Sequence, residues 1–232
     1  MLIIDHLRWT RSGKAVVDDV SLSFAPGSLA LVTGPNGAGK TSLLRCVSGL
    51  ERCDQGVIRL DDAVVDVATE AWKASVALVS DDNALFPELT VEEHAVLVCI
   101  LAGVDREEST RRIAPLIDLF SLDRYRDRRS AELSFGYRKR LALALSLLHP
   151  ARIYLFDEPL VGLDAAALDV FQSLLGLLRA RGRIVIVASH IIAPLAALAD
   201  ATVRMENGRV CASSAAAEAG RGLGPADLPW LR

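Results

Sequence analysis

The stretch that most restricts this chain is Gly34-Pro35-Asn36-Gly37-Ala38-Gly39-Lys40-Thr41, with the apolar run Leu29–Thr33 before it and a helical pattern, Lys40–Leu50, after it. It fits GxxxxGK[ST] in full and in the context that motif needs, a strand running into a helix. Glycines at these positions leave backbone N–H groups free to converge on an anion, and the helix adds the positive end of its dipole. Lys40 then reaches the outer phosphates, Thr41 offers a hydroxyl to Mg²⁺, and Ser42 adds a second hydroxyl beside it. A loop of this kind belongs at the C-terminal edge of a parallel sheet, so an α/β core follows from eight residues.

The rest of the pattern agrees. Short strands are expected at Leu2–Leu7, Val20–Phe24, Leu29–Thr33, Val57–Leu60 and Val64–Val67, and a buried one at Val76–Ser80. From Thr90 onward the spacing turns helical, with Val91–Leu101, Arg106–Phe120 behind Asp105, and Phe135–His149 behind Ser134. Two apolar strands, Ile153–Phe156 and Ile184–Ala188, bracket a helix at Ala165–Ala180, and Asn207-Gly208 predicts a closing hairpin between Thr202–Met205 and Arg209–Cys211. Strands first, helices in the middle and α/β at the end describe a phosphate-loop core. Its mostly parallel sheet is flanked by helices, with an antiparallel β flank and an inserted α-helical subdomain.

Polar residues gather just past the apolar strands. Asp157-Glu158-Pro159 follows Ile153–Phe156, placing two carboxylates where open parallel sheets bind ligands. Asp157 is suited to the Mg²⁺ shell and Glu158 to taking a proton from an attacking water or orienting it. Ser189-His190 ends the next strand in the same way, and Asp81-Asp82-Asn83 follows Val76–Ser80. Ser134 and the amide of Gly136 form a second helix N-terminus, with Arg138-Lys139-Arg140 read as basic residues on a solvated face.

Composition excludes several classes. With 26 Lys+Arg against 29 Asp+Glu among 232 residues, the net charge of −3 leaves no polybasic coat, and no nucleic-acid partner is expected. Cys46, Cys53, Cys99 and Cys211 are scattered without a metal-binding spacing. No stretch reaches the ~18 apolar residues of a membrane span. The expectation is a cytoplasmic chain, peripheral on the inner face of the cell membrane if it works there.

In order and spacing, the loop at 34–41, Leu133-Ser134-x-Gly136, Asp157-Glu158-Pro159, Leu163-Asp164 and His190 resemble the ATP-binding cassette (ABC) ATPases, over nearly the whole chain from Leu2 to Cys211. The Leu-Ser-x-Gly element separates that family from other phosphate-loop proteins. The resemblance implies a Mg-dependent ATPase with ATP and Mg²⁺ as ligands, packing head to tail with a second ABC subunit, identical or related. Ser134 and Gly136 of one chain would contact the γ-phosphate held by the other's loop, His190 would touch it too, and Asp164 would link the two sites. It implies a separate membrane permease as the driven partner. Rival readings are a non-transport ABC ATPase of DNA repair or translation, and an inactive nucleotide-binding regulator.

The chain departs from the family pattern at Phe135, where Gly is usual, at Tyr137, where Gln is usual, and at Asp81, also a Gln position. An acidic residue at 81 is similar to the exporter-type branch, and as a carboxylate it is a third candidate Mg²⁺ ligand. The adenine platform is Trp9 or Arg11. The expected organisation is one domain over 1–212 (flank and loop core 1–84, helical subdomain about 85–148, core again 149–212) with a loose tail at 213–232.

Overall fold

The computed structural model describes residues 1–82, 84–215, 228 and 230. Its central layer is a six-stranded sheet built from β3 (Leu29–Thr33), β6 (Val76–Val79), β7 (Ile153–Asp157), β8 (Ile184–Ala188), β9 (Ala201–Glu206) and β10 (Arg209–Ala215). The strand order is β10-β9-β3-β8-β7-β6, parallel throughout except for the β9–β10 hairpin. A four-stranded antiparallel sheet, ordered β2-β1-β4-β5, forms the flank from β1 (Leu2–Arg11), β2 (Lys14–Phe24), β4 (Gln55–Leu60) and β5 (Ala63–Val64). The expected α/β architecture is therefore present.

Period-two alternation decides which face each side chain joins. Leu29 and Leu31, Tyr154 and Phe156, and Val185 and Val187 enter one core with α5 (Phe135–Ser146) and α6 (Ala165–Ala180). Their neighbours Ala30 and Val32, Ile153 and Leu155, and Ile184 and Ile186 enter the other, with α1 (Lys40–Ser48) and the antiparallel sheet. Because both faces are covered, these strands read as unbroken apolar runs. The phosphate loop, Asp157 and Ser189 consequently emerge together at one edge of the sheet. Between β6 and β7 the chain adds α3 (Val91–Leu101), with a full capping box from Thr90 and Glu93, and α4 (Arg106–Leu119), capped by Asp105.

Several boundaries differ from the sequence expectation. β2 begins at Lys14 because a bulge, with His6 and Asp19 at positive φ, carries the strand past Asp18-Asp19, two poor strand formers. The expected strand at Val64–Val67 shrinks to Ala63–Val64, since Val65 and Val67 leave the ladder to pack on the core. A short helix, α2 (Glu70–Lys73), was not expected; it buries Trp72, whose indole N–H donates to Val47 O at 2.9 Å. α1 stops at Ser48 because Gly49 takes a left-handed cap, and α5 stops at Ser146, short of His149. The tail, expected to be loose from Ser213 at least as far as Leu228, is held at its start and meets the core again at Leu228 and Trp230. β10 runs on to Ala215, Leu228 is buried, and the Trp230 indole donates to Leu147 O at 3.1 Å. Residues 216–227, 229, 231 and 232 of that tail, and Asn83 of the acidic turn, lie outside the described residues.

Candidate active site

The glycines of the 34–41 loop are required by shape. Gly34, Gly37 and Gly39 all have positive φ, and a Cβ on Gly39 would come within 2.5 Å of Val16 O. That close approach lays β2 against the loop. Gly39 opens α1, so the free N–H groups of the first helical turn point into the loop. Pro35, Asn36, Gly37 and Thr41 are exposed, whereas Ala38 and Lys40 are buried and Gly34 and Ser42 half-buried. Lys40 Nζ donates to Gly34 O at 2.8 Å and Pro35 O at 3.2 Å, so the lysine closes its own loop.

Asp157 and Glu158 sit at the tip of β7 opposite this loop. Asp157 is buried near the Thr41 hydroxyl and leaves Oδ1 buried with no hydrogen-bond partner. Burial pushes its carboxyl pKa up, with Glu158 and Asp81 adding to the rise and Thr41 and Lys139 opposing it. An orphaned carboxylate oxygen beside a hydroxyl is a donor set suited to a hard divalent cation, and Mg²⁺ fits it.

Glu158 is held from three directions. Its φ is +45°, and its N–H donates to Ala188 O at 2.8 Å. Ser189 Oγ donates to Oε2 at 2.8 Å, the His190 N–H donates to Oε1 at 3.1 Å, and His190 Nδ1 lies 3.0 Å from Oε2. Lys40 Nζ is 4.0 Å from Oε1. The structure thus brings Lys40, Thr41, Asp157, Glu158 and His190 into one cluster, from three separate parts of the chain. Ser189, placed by the sequence at a polar strand tip but given no role there, belongs to this cluster through its bond to Glu158.

Ser134 and Gly136 lie apart from that cluster on the N-terminus of α5. Ser134 is exposed and its Oγ accepts from Tyr137 N–H at 3.4 Å, an ordinary cap. Phe135, 42% exposed, lays its ring on Gly162, where any Cβ would fall 2.5 Å from Phe135 Cδ1. Tyr137 packs its ring 4.3 Å from that of Tyr125 and 5.0 Å from the Arg140 guanidinium. Both departures therefore have local packing partners. The solvated face expected for 138–140 is corrected: Lys139 is fully buried and Arg140 nearly so. Arg140 grips Asp164 through both carboxylate oxygens, at 2.7 and 2.6 Å, and Asp164 also caps α6. The Ala167 N–H, then the Arg140 charge, hold the Asp164 carboxyl below its usual range.

Of the two candidate base platforms, Trp9 is in the core of the antiparallel sheet and has no free face, whereas Arg11 is exposed at the β1–β2 turn. Asp81 is largely exposed, with Oδ1 3.9 Å from Lys139 Nζ.

Comparison with known proteins agrees with this geometry. A family model described as ABC transporter matches residues 17–161. The ABC transporter ATP-binding protein NatA of Bacillus subtilis is 34% identical over 196 residues, covering 84% of this chain and 79% of that protein. The cytochrome c biogenesis ATP-binding export protein CcmA 2 of Cupriavidus metallidurans is 37% identical over 180 residues, 78% of this chain and 84% of its own. An import subunit, sn-glycerol-3-phosphate import ATP-binding protein UgpC 1 of Rhizobium johnstonii, is 35% identical over 196 residues; the chain spans 53% of its length. Among solved structures, an ATP-binding subunit of an ABC transporter superposes with a TM-score of 0.86 at 27% identity, over 93% of this chain and 90% of that one. A dimeric bacterial ABC transporter cassette shares the fold, with a TM-score of 0.82 at 20% identity over 93% of this chain and 98% of that one. With a glycine loop facing an Asp-Glu strand tip, and relatives matched along most of its length, the chain belongs to the ABC transporter family as an ATP-binding subunit.

Proposed function

We propose that this chain binds and hydrolyses ATP at the edge of its parallel sheet, and that two such subunits close on ATP to drive a separate membrane permease. The observation that carries the reading is the convergence of Lys40, Thr41, Asp157, Glu158 and His190 on one loop whose shape requires its glycines.

In this reading Lys40 exchanges the Gly34 and Pro35 carbonyls for the β/γ-phosphate oxygens, gaining charged partners in place of neutral ones. The amides of residues 34–42 line the phosphates, and Arg11 stacks on the base from the neighbouring hairpin. Thr41 and Asp157, with Asp81 as a further oxygen ligand, hold Mg²⁺, which supplies charge neutralisation on the phosphate oxygens. Glu158 orients the attacking water and takes its proton, its carboxylate fixed by Ser189 and His190. His190, exposed beside Glu158, reaches the γ-phosphate. Ser134 and Gly136 complete the partner's site across a dimer, which fits the exposure of Ser134 away from its own loop. One domain takes in β1 to β10, with the helical insert at 85–148.

The partner surface follows from apolar exposure. Phe86, Ile100 and Leu101 are 55%, 65% and 77% exposed. Phe86 and Leu101 border a cleft of about 260 Å³, floored by β6 and opening beside the loop that carries Asp81. Apolar exposure on this scale marks a binding surface. Among the described residues no helix is long and apolar enough to cross a membrane. The test is purification of the tagged full chain from detergent-solubilised membranes. Recovery with an integral membrane protein, lost on Leu101→Asp, supports the reading; recovery only from cytosol with DNA or ribosomes overturns it.

A further inference from the structure

Lys139 has no role in the scheme above, and its setting is unusual for a lysine. Its side chain is fully buried, on the helix that Ser134 opens. Among the described residues its polar contacts are Asp81 O at 3.5 Å and Asp81 Oδ1 at 3.9 Å, both long for an ammonium with three donors. A buried charge so thinly paired is expensive to keep. Burial holds the Lys139 pKa below the ordinary lysine value, and the carboxylates Asp81, Asp157, Asp82 and Glu158 offset that only in part. From the other side the problem is complementary: Asp157 carries a buried oxygen without a partner and sits beside the Glu158 charge. Lys40, the other buried cation nearby, spends its hydrogen bonds on loop carbonyls.

We propose that Lys139 is a positioning residue that supplies a second standing positive charge beside Lys40, holding the loop at 80–82 through Asp81 and offsetting Asp157 until Mg²⁺ and nucleotide arrive. The inference rests on the ATP-site reading above. It also gives α5 a direct electrostatic tie to the carboxylates of the sheet edge, so the helix that carries Ser134 responds to charge at Asp157. A cation in this place attracts free nucleotide and repels the metal. Its removal therefore weakens ATP binding when metal is absent and is compensated when metal is present.

The test is Lys139→Met, a neutral side chain of similar shape, with ATP affinity measured by equilibrium binding in EDTA and in Mg²⁺. The ratio of the two affinities, Mg²⁺ over EDTA, is expected to rise about ten-fold above wild type, the size of a single charge felt across a few ångströms at high effective dielectric. An unchanged ratio, whether both affinities hold or both fall, overturns the proposal. If wild type binds ATP in neither buffer, the ATP-site reading itself fails. Melting in EDTA is a second readout: Asp157→Asn should raise the melting temperature more in the Lys139→Met background than in wild type, and additive effects count against the proposal. Should Lys139→Met not fold, recovery of folding in Lys139→Met/Asp157→Asn supports the charge-balance account, and failure to recover overturns it.

Discussion

Replacing Ser189 by Ala isolates the carboxylate geometry without touching a charged group. Ser189 is 1% exposed, and its hydroxyl does two things: it donates to Glu158 Oε2 at 2.8 Å and accepts from Ile191 N–H at 3.0 Å. A hydrogen bond to a charged acceptor contributes about 1.5–3 kcal/mol, and an amide left without its acceptor costs more still when buried. Ile191 is partly exposed, so water replaces some of that loss. The net cost is about 2 kcal/mol, which for a chain of this size lowers the melting temperature by roughly 4–8 °C. Glu158 keeps His190 on its other side, with N–H at 3.1 Å and Nδ1 at 3.0 Å, so the carboxylate stays in place but loses one of its fixed orientations. We expect kcat to fall about ten-fold, a loss of about 1.4 kcal/mol in transition-state stabilisation, with the KM for ATP within about two-fold of wild type. Steady-state ATPase assays and calorimetric melting of the same preparations measure both. A lowered melting temperature with unchanged kcat would refute the reasoning, because Ser189 would then support the strand end without orienting Glu158.

Other expected outcomes follow from the same contacts. Lys40→Ala removes the cation that closes the loop and meets the phosphates, so equilibrium binding should show MgATP affinity lost, and turnover with it. Ser134→Arg should leave ATP binding at each subunit intact but block closure; mixed with Lys40→Ala, itself inactive, it should regain part of the turnover, whereas full activity of Ser134→Arg alone would remove the shared site. Asp157→Asn should abolish hydrolysis yet raise the melting temperature of the metal-free protein near neutral pH, because it removes a negative charge that burial and the neighbouring Glu158 and Asp81 carboxylates disfavour. The sign with pH agrees. The folded Asp157 carboxyl binds its proton more tightly than the unfolded one. Its contribution to stability therefore falls as pH rises from the ordinary aspartate value through the raised folded one, and melting curves of Asp157→Asn should lack that fall.

Much of this was legible in the residues because the strongest signals are local. A glycine loop between an apolar strand and a helix, and two carboxylates ending an apolar strand, each fix their own geometry within a few positions. What stayed hidden depends on contacts across the chain. Lys139 and Arg140 look like solvated cations by composition; only the packing of α5 against the core and the reach to Asp81 and Asp164 show them buried. Ser189 needed the β7–β8 pairing to meet Glu158. Trp9 looked free to stack until the antiparallel sheet folded over it. The length of β2 was masked by Asp18-Asp19, whose place in a strand depends on a bulge that sequence periodicity does not register.

The central claim, an ATPase that works by closing two subunits on nucleotide, is tested most directly by Glu158→Gln. The amide keeps the shape of the side chain but loses the base, so turnover should fall by roughly 10²–10⁴-fold while ATP binding persists through Lys40. Mass measured by light scattering after gel filtration should then shift from monomer to dimer on adding MgATP, and return to monomer when nucleotide is removed. A Glu158→Gln protein that stays monomeric in MgATP and turns over at the wild-type rate would contradict the account.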